Sequence, residues 1–341
     1  MVKEALQFIY NLEYEKAEPI IDSLEDRIGD HPGFPLLQAV YTNWKDRPLK
    51  EGTEGYKNFE LYLTRALDLS EKILEEDEND VEGIFFSLSA YGFMAQMHAD
   101  AGYNLKAVGA AKNAYNYIKK GFDLAAQYPE FYFPSGIYNY YRVRYPEENP
   151  FYKTFMWVFK EGDKDLGLEM LKTGVEKSVF TKAECLTYLC HIYLRYEDKP
   201  ALSLNYANQL TSLYPKNLNF IALTAENLIR MNKYTEIMSY ITTLRTSENK
   251  YYQYIGEIFY GIYLERSLQD MSGATAAFNR AQTISETKEI NLLHYDSMLL
   301  LGMGRINLKM GNESTAKGYF KLAAKYAEYG IIRDEAKSYL E

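Results

Sequence analysis

The sequence predicts an all-α protein, and three observations support this fold class. Apolar residues recur at the 3.6-residue period of amphipathic helices, while the apolar-polar alternation typical of strands is absent. Helix stop signals divide the chain into helical segments of about 12 to 25 residues. A small-large-small triplet occurs at Ala316, Phe320 and Ala323 and again 42 positions earlier. Repeats of this size predict an α-solenoid of about eight or nine antiparallel helical hairpins.

The first hairpin is predicted from two apolar stripes that a turn separates. The first stripe ends at Leu12, Glu13 and Tyr14 form the turn, and Gly29 and Pro32 close the returning stripe. Each stripe has the spacing of one helix face. We therefore expect two short helices at the N-terminal end.

The next helices are separated by polar segments. A third helix around residues 34–44 precedes a loop-like insertion over residues 46–55. The helix over about residues 56–76 ends in an acidic run, which we interpret as a solvated turn rather than a cation site. Asp80 is placed to cap the helix that begins at Val81. Small residues along the fifth and sixth helices predict the most tightly packed pair.

Repeat spacing differs between the two halves of the chain. Equivalent points of the repeats are Ala17, Ala66, Ala114, Gly167, Ala201, Ile237, Ala274 and Ala316. The steps are 48 to 53 residues before Gly167 and 34 to 42 residues after it. We predict stretched repeats with insertions over residues 1–162 and more regular repeats over residues 163–341, in one continuous solenoid.

The second half resembles the tetratricopeptide repeat. The motifs that carry this resemblance are Gly304 with the triplet that starts at Ala316, the triplet Ala274, Phe278 and Ala281, and Tyr214-Pro215-Lys216-Asn217 at the end of a returning helix. The 34-residue step from Gly167 to Ala201 equals this family's period. The resemblance implies a right-handed superhelix that holds another protein.

A shorter stretch is similar to the tetratricopeptide repeat protein 39 family. It is Gly162-Asp163-Lys164-Asp165-Leu166-Gly167-Leu168 with Leu171, after a tyrosine-rich segment. This resemblance spans about residues 115–235. It implies a helical protein without known catalysis, and it transfers no functional residue.

Composition and reactive side chains argue against several functions. The formal net charge of −9 disfavours nucleic acid, because affinity for phosphate backbones comes from lysine and arginine. The histidines His31, His98, His191 and His294 form no His-Glu-x-x-His metal motif. Gly302-Met303-Gly304 lacks the preceding strand and third glycine of a dinucleotide loop. We predict no catalytic residue, no metal and no cofactor, with an enzyme in the stretched first half as one alternative.

The two cysteines are predicted to be free, buried thiols. Cys185 and Cys190 lie five positions apart in a helical segment, which puts them on different sides of the helix. Their small number leaves the compartment open.

The family's register predicts which residues contact a partner. The first helix of each tetratricopeptide pair lines the concave face, and the candidates there are Tyr152, Met156, Phe159, Tyr193, Glu226 and Arg305. The predicted groove is mainly apolar and suits an amphipathic helix or an extended apolar peptide. The basic, asparagine-rich clamp of some family members is not reproduced. The sequence thus predicts a non-enzymatic scaffold for a protein or peptide segment.

Aromatic residues support an alternative function. Many of the 33 tyrosines fall between Tyr128 and Phe159, and most of these are expected to fill gaps between helices. Tyr138 and Tyr141 are candidates for an exposed surface. Such a surface predicts, as the alternative, a module that binds a glycan or a lipid, and this alternative leaves export open.

No targeting or transmembrane segment is predicted. Glu4 and Gln7 interrupt the run that a signal peptide would need, and polar residues interrupt the longest apolar stretch, residues 81–99. We expect a cytoplasmic protein from the sequence as it stands, and a periplasmic or exported one if an N-terminal signal has been removed.

Overall fold

The computed structural model describes residues 1–288 and 293–341, and the regular elements in these ranges are all helices. Two compact units make up the chain, residues 1–188 and residues 189–341. The predicted change in repeat length near residue 162 concerns a different feature, and it stays a prediction.

In residues 1–188, consecutive helices pack against each other in pairs. The helices are α1 (Val2–Tyr10), α2 (Tyr14–Ile28), α3 (Gly33–Lys45), α4 (Glu54–Glu76), α5 (Val81–Asp100), α6 (Asn104–Leu124), α7 (Tyr132–Glu148), α8 (Lys164–Lys177) and α9 (Lys182–His191), whose last residues belong to the second unit. Short 3-10 helices at Pro129–Phe131 and Pro150–Val158 flank α7. As expected, α5 and α6 contact each other most extensively.

Residues 189–341 continue the same pattern. After a π-helical turn, Ile192–Tyr196, come α10 (Pro200–Leu213), α11 (Leu218–Arg230), α12 (Met238–Arg245), α13 (Lys250–Tyr263), a second π-helical turn (Leu264–Leu268), α14 (Met271–Lys288), α15 (Leu293–Lys309), α16 (Glu313–Tyr326) and α17 (Gly330–Ser338). The first helices α11, α13 and α15 contact one another in that order.

The predicted fold class is confirmed. Within the described residues, seven sequential pairs of helices pack together, from α1 with α2 to α15 with α16, and α10 packs against the π-helical turn that follows α9. Helix α17 follows the last pair. Seven of the eight marker positions lie on the second helix of a pair, while Ile237 directly precedes α12. The chain therefore has a tetratricopeptide-like helical repeat fold. The handedness of the superhelix stays a prediction.

Glycines on first helices make room for large side chains of second helices. Phe278 on α14 is fully buried and lies between α13 and α15. A Cβ atom at Gly261 or at Gly302 would stand 2.5 Å from its ring. Gly304 gives the same room to Phe320 of α16. This close approach explains why the small-large-small triplet repeats together with a glycine.

Three local predictions are confirmed: a helix cap, a loop and two free thiols. The side chain of Asp80 accepts a hydrogen bond from the backbone N–H of Gly83 at 2.7 Å, which caps α5. The segment between α3 and α4 is a loop, and Cys185 and Cys190 are buried free thiols. Of the helices that the structure describes, none combines the length and apolar character needed to cross a membrane.

Candidate functional site

Four arginines near the ends of successive first helices form what we call the arginine cluster: Arg195, Arg230, Arg266 and Arg305. Arg195 and Arg266 lie in the two π-helical turns, Arg230 is the last residue of α11, and Arg305 lies in the last part of α15. Short π-helical segments interrupt the α-helical hydrogen-bond pattern and are frequent at functional sites. The repeat therefore places one guanidinium group per hairpin on the same side of residues 189–341.

A buried carboxylate of α11 holds the first arginine. Arg195 Nη2 donates a hydrogen bond to Glu226 at 2.9 Å, and His294 Nε2 lies 2.6 Å from the other oxygen of Glu226. Burial alone would raise the pKa of Glu226. Arg195 and His294 together lower this pKa by more than burial raises it, so the net pKa lies below its usual value. Glu226 is therefore a carboxylate fixed by two basic groups.

A second buried carboxylate holds the last arginine. Arg305 Nη2 donates to Glu265 Oε2 at 2.8 Å and Arg305 Nε donates to Glu265 Oε1 at 3.2 Å, which is a bidentate ion pair. Lys309 Nζ lies 3.3 Å from the same carboxylate. Burial raises the pKa of Glu265, but the hydrogen bonds and charge of Arg305 outweigh burial and lower it.

Helix α17 crosses the cluster and contributes a third carboxylate. Arg266 Nη2 donates to Glu335 at 2.7 Å and Arg305 Nη1 donates to it at 3.2 Å. Arg230 Nη1 lies 3.5 Å from Glu335, while its Nη2 donates to Asp198 at 2.9 Å. Three arginines from three hairpins thus meet one side chain of α17.

The residue just before α17 adds an aromatic contact. The ring of Tyr329 meets the rings of His294 and Tyr196 edge-on, at centroid distances of 5.1 Å and 5.3 Å. The Arg195 guanidinium lies 5.2 Å from the centre of the Tyr329 ring, which is a cation–π contact. Burial raises the pKa of Tyr329, so its hydroxyl stays protonated.

Some hydrogen-bonding capacity of the cluster is unused. Arg195 Nε, Arg230 Nε and His294 Nδ1 are buried and have no hydrogen-bond partner among the described residues. Buried polar atoms usually have a hydrogen-bond partner. These three exceptions all belong to or adjoin the arginine cluster, so this part of the fold has spare hydrogen-bonding capacity.

Three of the predicted partner contacts lie in residues 189–341 and are buried. Glu226 and Arg305 belong to the network just described, and Tyr193 stacks on Tyr206 with ring centroids 6.0 Å apart. Charged side chains from the helix ends lie beside Glu226 and Arg305, and the mainly apolar groove stays a prediction. Whether these residues contact a partner stays a prediction.

The remaining candidates lie in residues 1–188, among aromatic side chains. The hydroxyl of Tyr152 donates to Asn104 Oδ1 at 3.1 Å, the carbonyl of Met156 accepts from Arg142 at 2.8 Å, and Phe159 packs edge-on against Tyr115. Their role as partner contacts also stays a prediction.

The two surface tyrosine candidates are partly buried. Tyr138 stacks on Tyr115 and donates to the carbonyl of Lys160 at 2.6 Å, while Tyr141 packs against Tyr188. The most exposed aromatic side chain of this segment is instead Trp157, which is 85% exposed.

Sequence reasoning missed Arg195, Arg230 and Arg266, although a signal was present. The four arginines are separated by 35, 36 and 39 residues, close to the repeat period. Glu335 and Tyr329 had no such signal, because they come from the segment after the last repeat. In the described part of the chain, no group of three or more histidine, cysteine or acidic residues is arranged to hold a metal ion.

Comparison with known proteins adds little to this description. No family model matches the chain, and no curated protein matches it. Similar solved structures include yeast Tom70, with 13% identity and a TM-score of 0.42 over 90% of this chain and 62% of Tom70. A monomeric IFIT1 mutant with Gppp-AAAA has 15% identity and a TM-score of 0.38 over 95% of this chain and 80% of the mutant. A human IFIT1 dimer with PPP-AAAA has 16% identity and a TM-score of 0.36 over 94% and 81%.

The chain spans less than two thirds of the length of Tom70. At these identities and scores the fold assignment rests on the helix pairs of the chain itself. The finer resemblance to the tetratricopeptide repeat protein 39 family finds no support among these proteins and stays a prediction.

Proposed function

We propose that the protein is a non-enzymatic scaffold that holds a helical segment of another protein on the face carrying the arginine cluster. One observation supports this most strongly: a helix of the same chain, α17, already packs on that face through Glu335 and Tyr329. A face that accepts one short helix has the shape and charge to accept another. The acid-base pair of this face, Glu226 and His294, is buried, and Arg195 holds the Glu226 carboxylate. The pair therefore serves the proposed scaffold as a structural contact.

Site-specific photo-crosslinking tests this proposal. A benzophenone amino acid replaces Lys309, whose partly exposed side chain borders the cluster, in the full chain expressed in its source cells. The matched control replaces Lys321, which is exposed on α16. We expect the Lys309 probe alone to crosslink to one defined protein segment, and a synthetic peptide of that segment to compete for the adduct. Equal adducts at both positions, or adducts that the peptide does not reduce, would contradict the scaffold.

The glycan or lipid alternative is favoured by one specific observation, the exposure of Trp157 and Phe151 in the 3-10 helix Pro150–Val158. Exposed aromatic side chains stack on sugar rings and insert at lipid surfaces. Under this alternative, a Trp157→Ala variant loses binding to a glycan array or to liposomes that the wild type binds. Absence of wild-type binding to both would eliminate it.

A further inference from the structure

We infer that the arginine cluster is a binding site for a helix that presents a carboxylate, and that α17 occupies this site through Glu335 until an acidic partner helix displaces it. The inference rests on the proposed function and adds the chemistry of the partner and the means of regulation. It follows from four features of α17 and of the cluster.

The first feature is the path of α17. A helix that merely covers the end of a repeat array contacts the last hairpin, here α15 and α16. Helix α17 also packs against the π-helical turn 192–196, three hairpins earlier in the chain. Its Glu335 reaches Arg230 at the end of α11. It therefore lies across several first helices, in the manner of a ligand.

The second feature is the match of charge. Arg305 keeps Glu265 and Arg230 keeps Asp198 when Glu335 is withdrawn. Arg266 then keeps the Tyr234 hydroxyl, and its nearest carboxylate is Glu265 at 3.9 Å. Arg266 is 29% exposed in the presence of α17. Withdrawal of α17 thus leaves the Arg266 guanidinium group without a close carboxylate, and a carboxylate is the group that it binds best.

The third feature is the small apolar anchor of α17. The helix has nine residues, begins at Gly330 without a side-chain cap, and buries only Ile332 and Ala336. Helices this short are marginal in water, so its order comes from packing and from Glu335. Glu335 itself is 23% exposed, so solvent and a competing carboxylate can reach it.

The fourth feature is the covalent link between α17 and the cluster. Tethered ligands act at effective concentrations of about millimolar, so they exclude a micromolar competitor with similar contacts. A partner helix must therefore make contacts that α17 lacks, or α17 must first be weakened. The site is closed at rest and opens to a partner that offers a carboxylate and a longer apolar face.

The test uses the full chain and a fluorescein-labelled peptide of residues 327–341 as the probe, with binding followed by fluorescence anisotropy. The proteins are the wild type, Glu335→Arg, Glu335→Gln and the matched control Asp334→Arg, which changes an exposed neighbour on α17. We expect Glu335→Arg to bind the peptide at least tenfold more tightly than the wild type, with Glu335→Gln between them. Asp334→Arg should equal the wild type.

A second peptide, in which the residue corresponding to Glu335 is Gln, should bind Glu335→Arg at least tenfold more weakly. Far-UV circular dichroism confirms that each variant keeps its helices, and Glu335→Gln carries the comparison if Glu335→Arg does not fold.

Equal affinity of all four proteins for the peptide would show that α17 does not occupy the cluster, although the surface would still bind a helix. Equal affinity of the two peptides would overturn the role of the carboxylate, and absence of binding to every protein would overturn the inference itself. Failure of the proposed function appears separately, in the crosslinks at Lys309.

Discussion

Replacement of Gly302 by alanine tests the packing of first helices on second helices. A new Cβ atom would lie 2.5 Å from Cζ of Phe278, whereas carbon atoms in contact are about 3.5–4.0 Å apart. The ring must therefore move by about 1 Å. It cannot move freely toward α13, because a methyl group at Gly261 would also stand 2.5 Å from the ring, which shows how closely that backbone approaches. Overpacking of this kind costs about 1–3 kcal/mol.

The matched control is Gly318→Ala on α16, an exposed position with nothing within 4 Å of the new Cβ atom. Alanine there raises the free energy of unfolding by about 0.5–1 kcal/mol through helix propensity alone. Because Gly302→Ala has the same gain, we expect the free energies of unfolding of the two variants to differ by about 1–3 kcal/mol. Urea denaturation followed by circular dichroism measures the difference.

A second substitution separates overpacking from other causes. Phe278→Leu removes the ring atoms that Gly302→Ala would meet, so the double variant should lose less stability than the two single variants together, by at least about 1 kcal/mol. Two alanine variants of equal stability, or additive effects in the double variant, would refute the wedged position of Phe278.

Three further predictions follow from buried charges and thiols. Arg305→Met should lower the free energy of unfolding by about 3–5 kcal/mol, because Glu265 is left buried without its bidentate partner, and Arg305→Met with Glu265→Met should recover most of this loss in urea denaturation. Burial raises the pKa of Glu184 from 4.5 to about 8. The contribution of Glu184 to stability is therefore full below pH 4.5 and falls as the pH rises to 8, by at most about 1.4 kcal/mol per pH unit. In urea denaturation, the free energy of unfolding of Glu184→Gln relative to the wild type should therefore rise between pH 5 and pH 8, and a fall anywhere in this range would contradict the raised pKa. Burial also raises the pKa of Cys185 and Cys190, so both thiols should react with Ellman's reagent only on unfolding, and rapid labelling of the native chain would contradict their burial.

The sequence was sufficient to predict the fold, because the physical cause of the fold repeats along the chain. Each hairpin needs a small residue where a ring of the next helix approaches, so Gly304 and Phe320 recur as a pattern that one sequence can reveal. Helix caps such as Asp80 are local, and they were predicted for the same reason.

The candidate site could be predicted only in part. Two residues that the register predicts as partner contacts, Glu226 and Arg305, lie in the ion-pair network, since both are on first helices. The register did not identify the charged character of the face, because the side chains that meet these residues come from helix ends and from the segment after the last repeat. Glu335 becomes part of the site only when α17 folds back, and no local pattern encodes that contact.

Hydrogen–deuterium exchange of the wild-type chain tests the occupied arginine cluster most directly. We predict that the amides of residues 330–338 exchange at least tenfold more slowly than those of the free peptide 327–341, that Glu335→Arg removes this protection, and that Asp334→Arg keeps it. Exchange of residues 330–338 in the wild type at the rate of the free peptide would contradict the account.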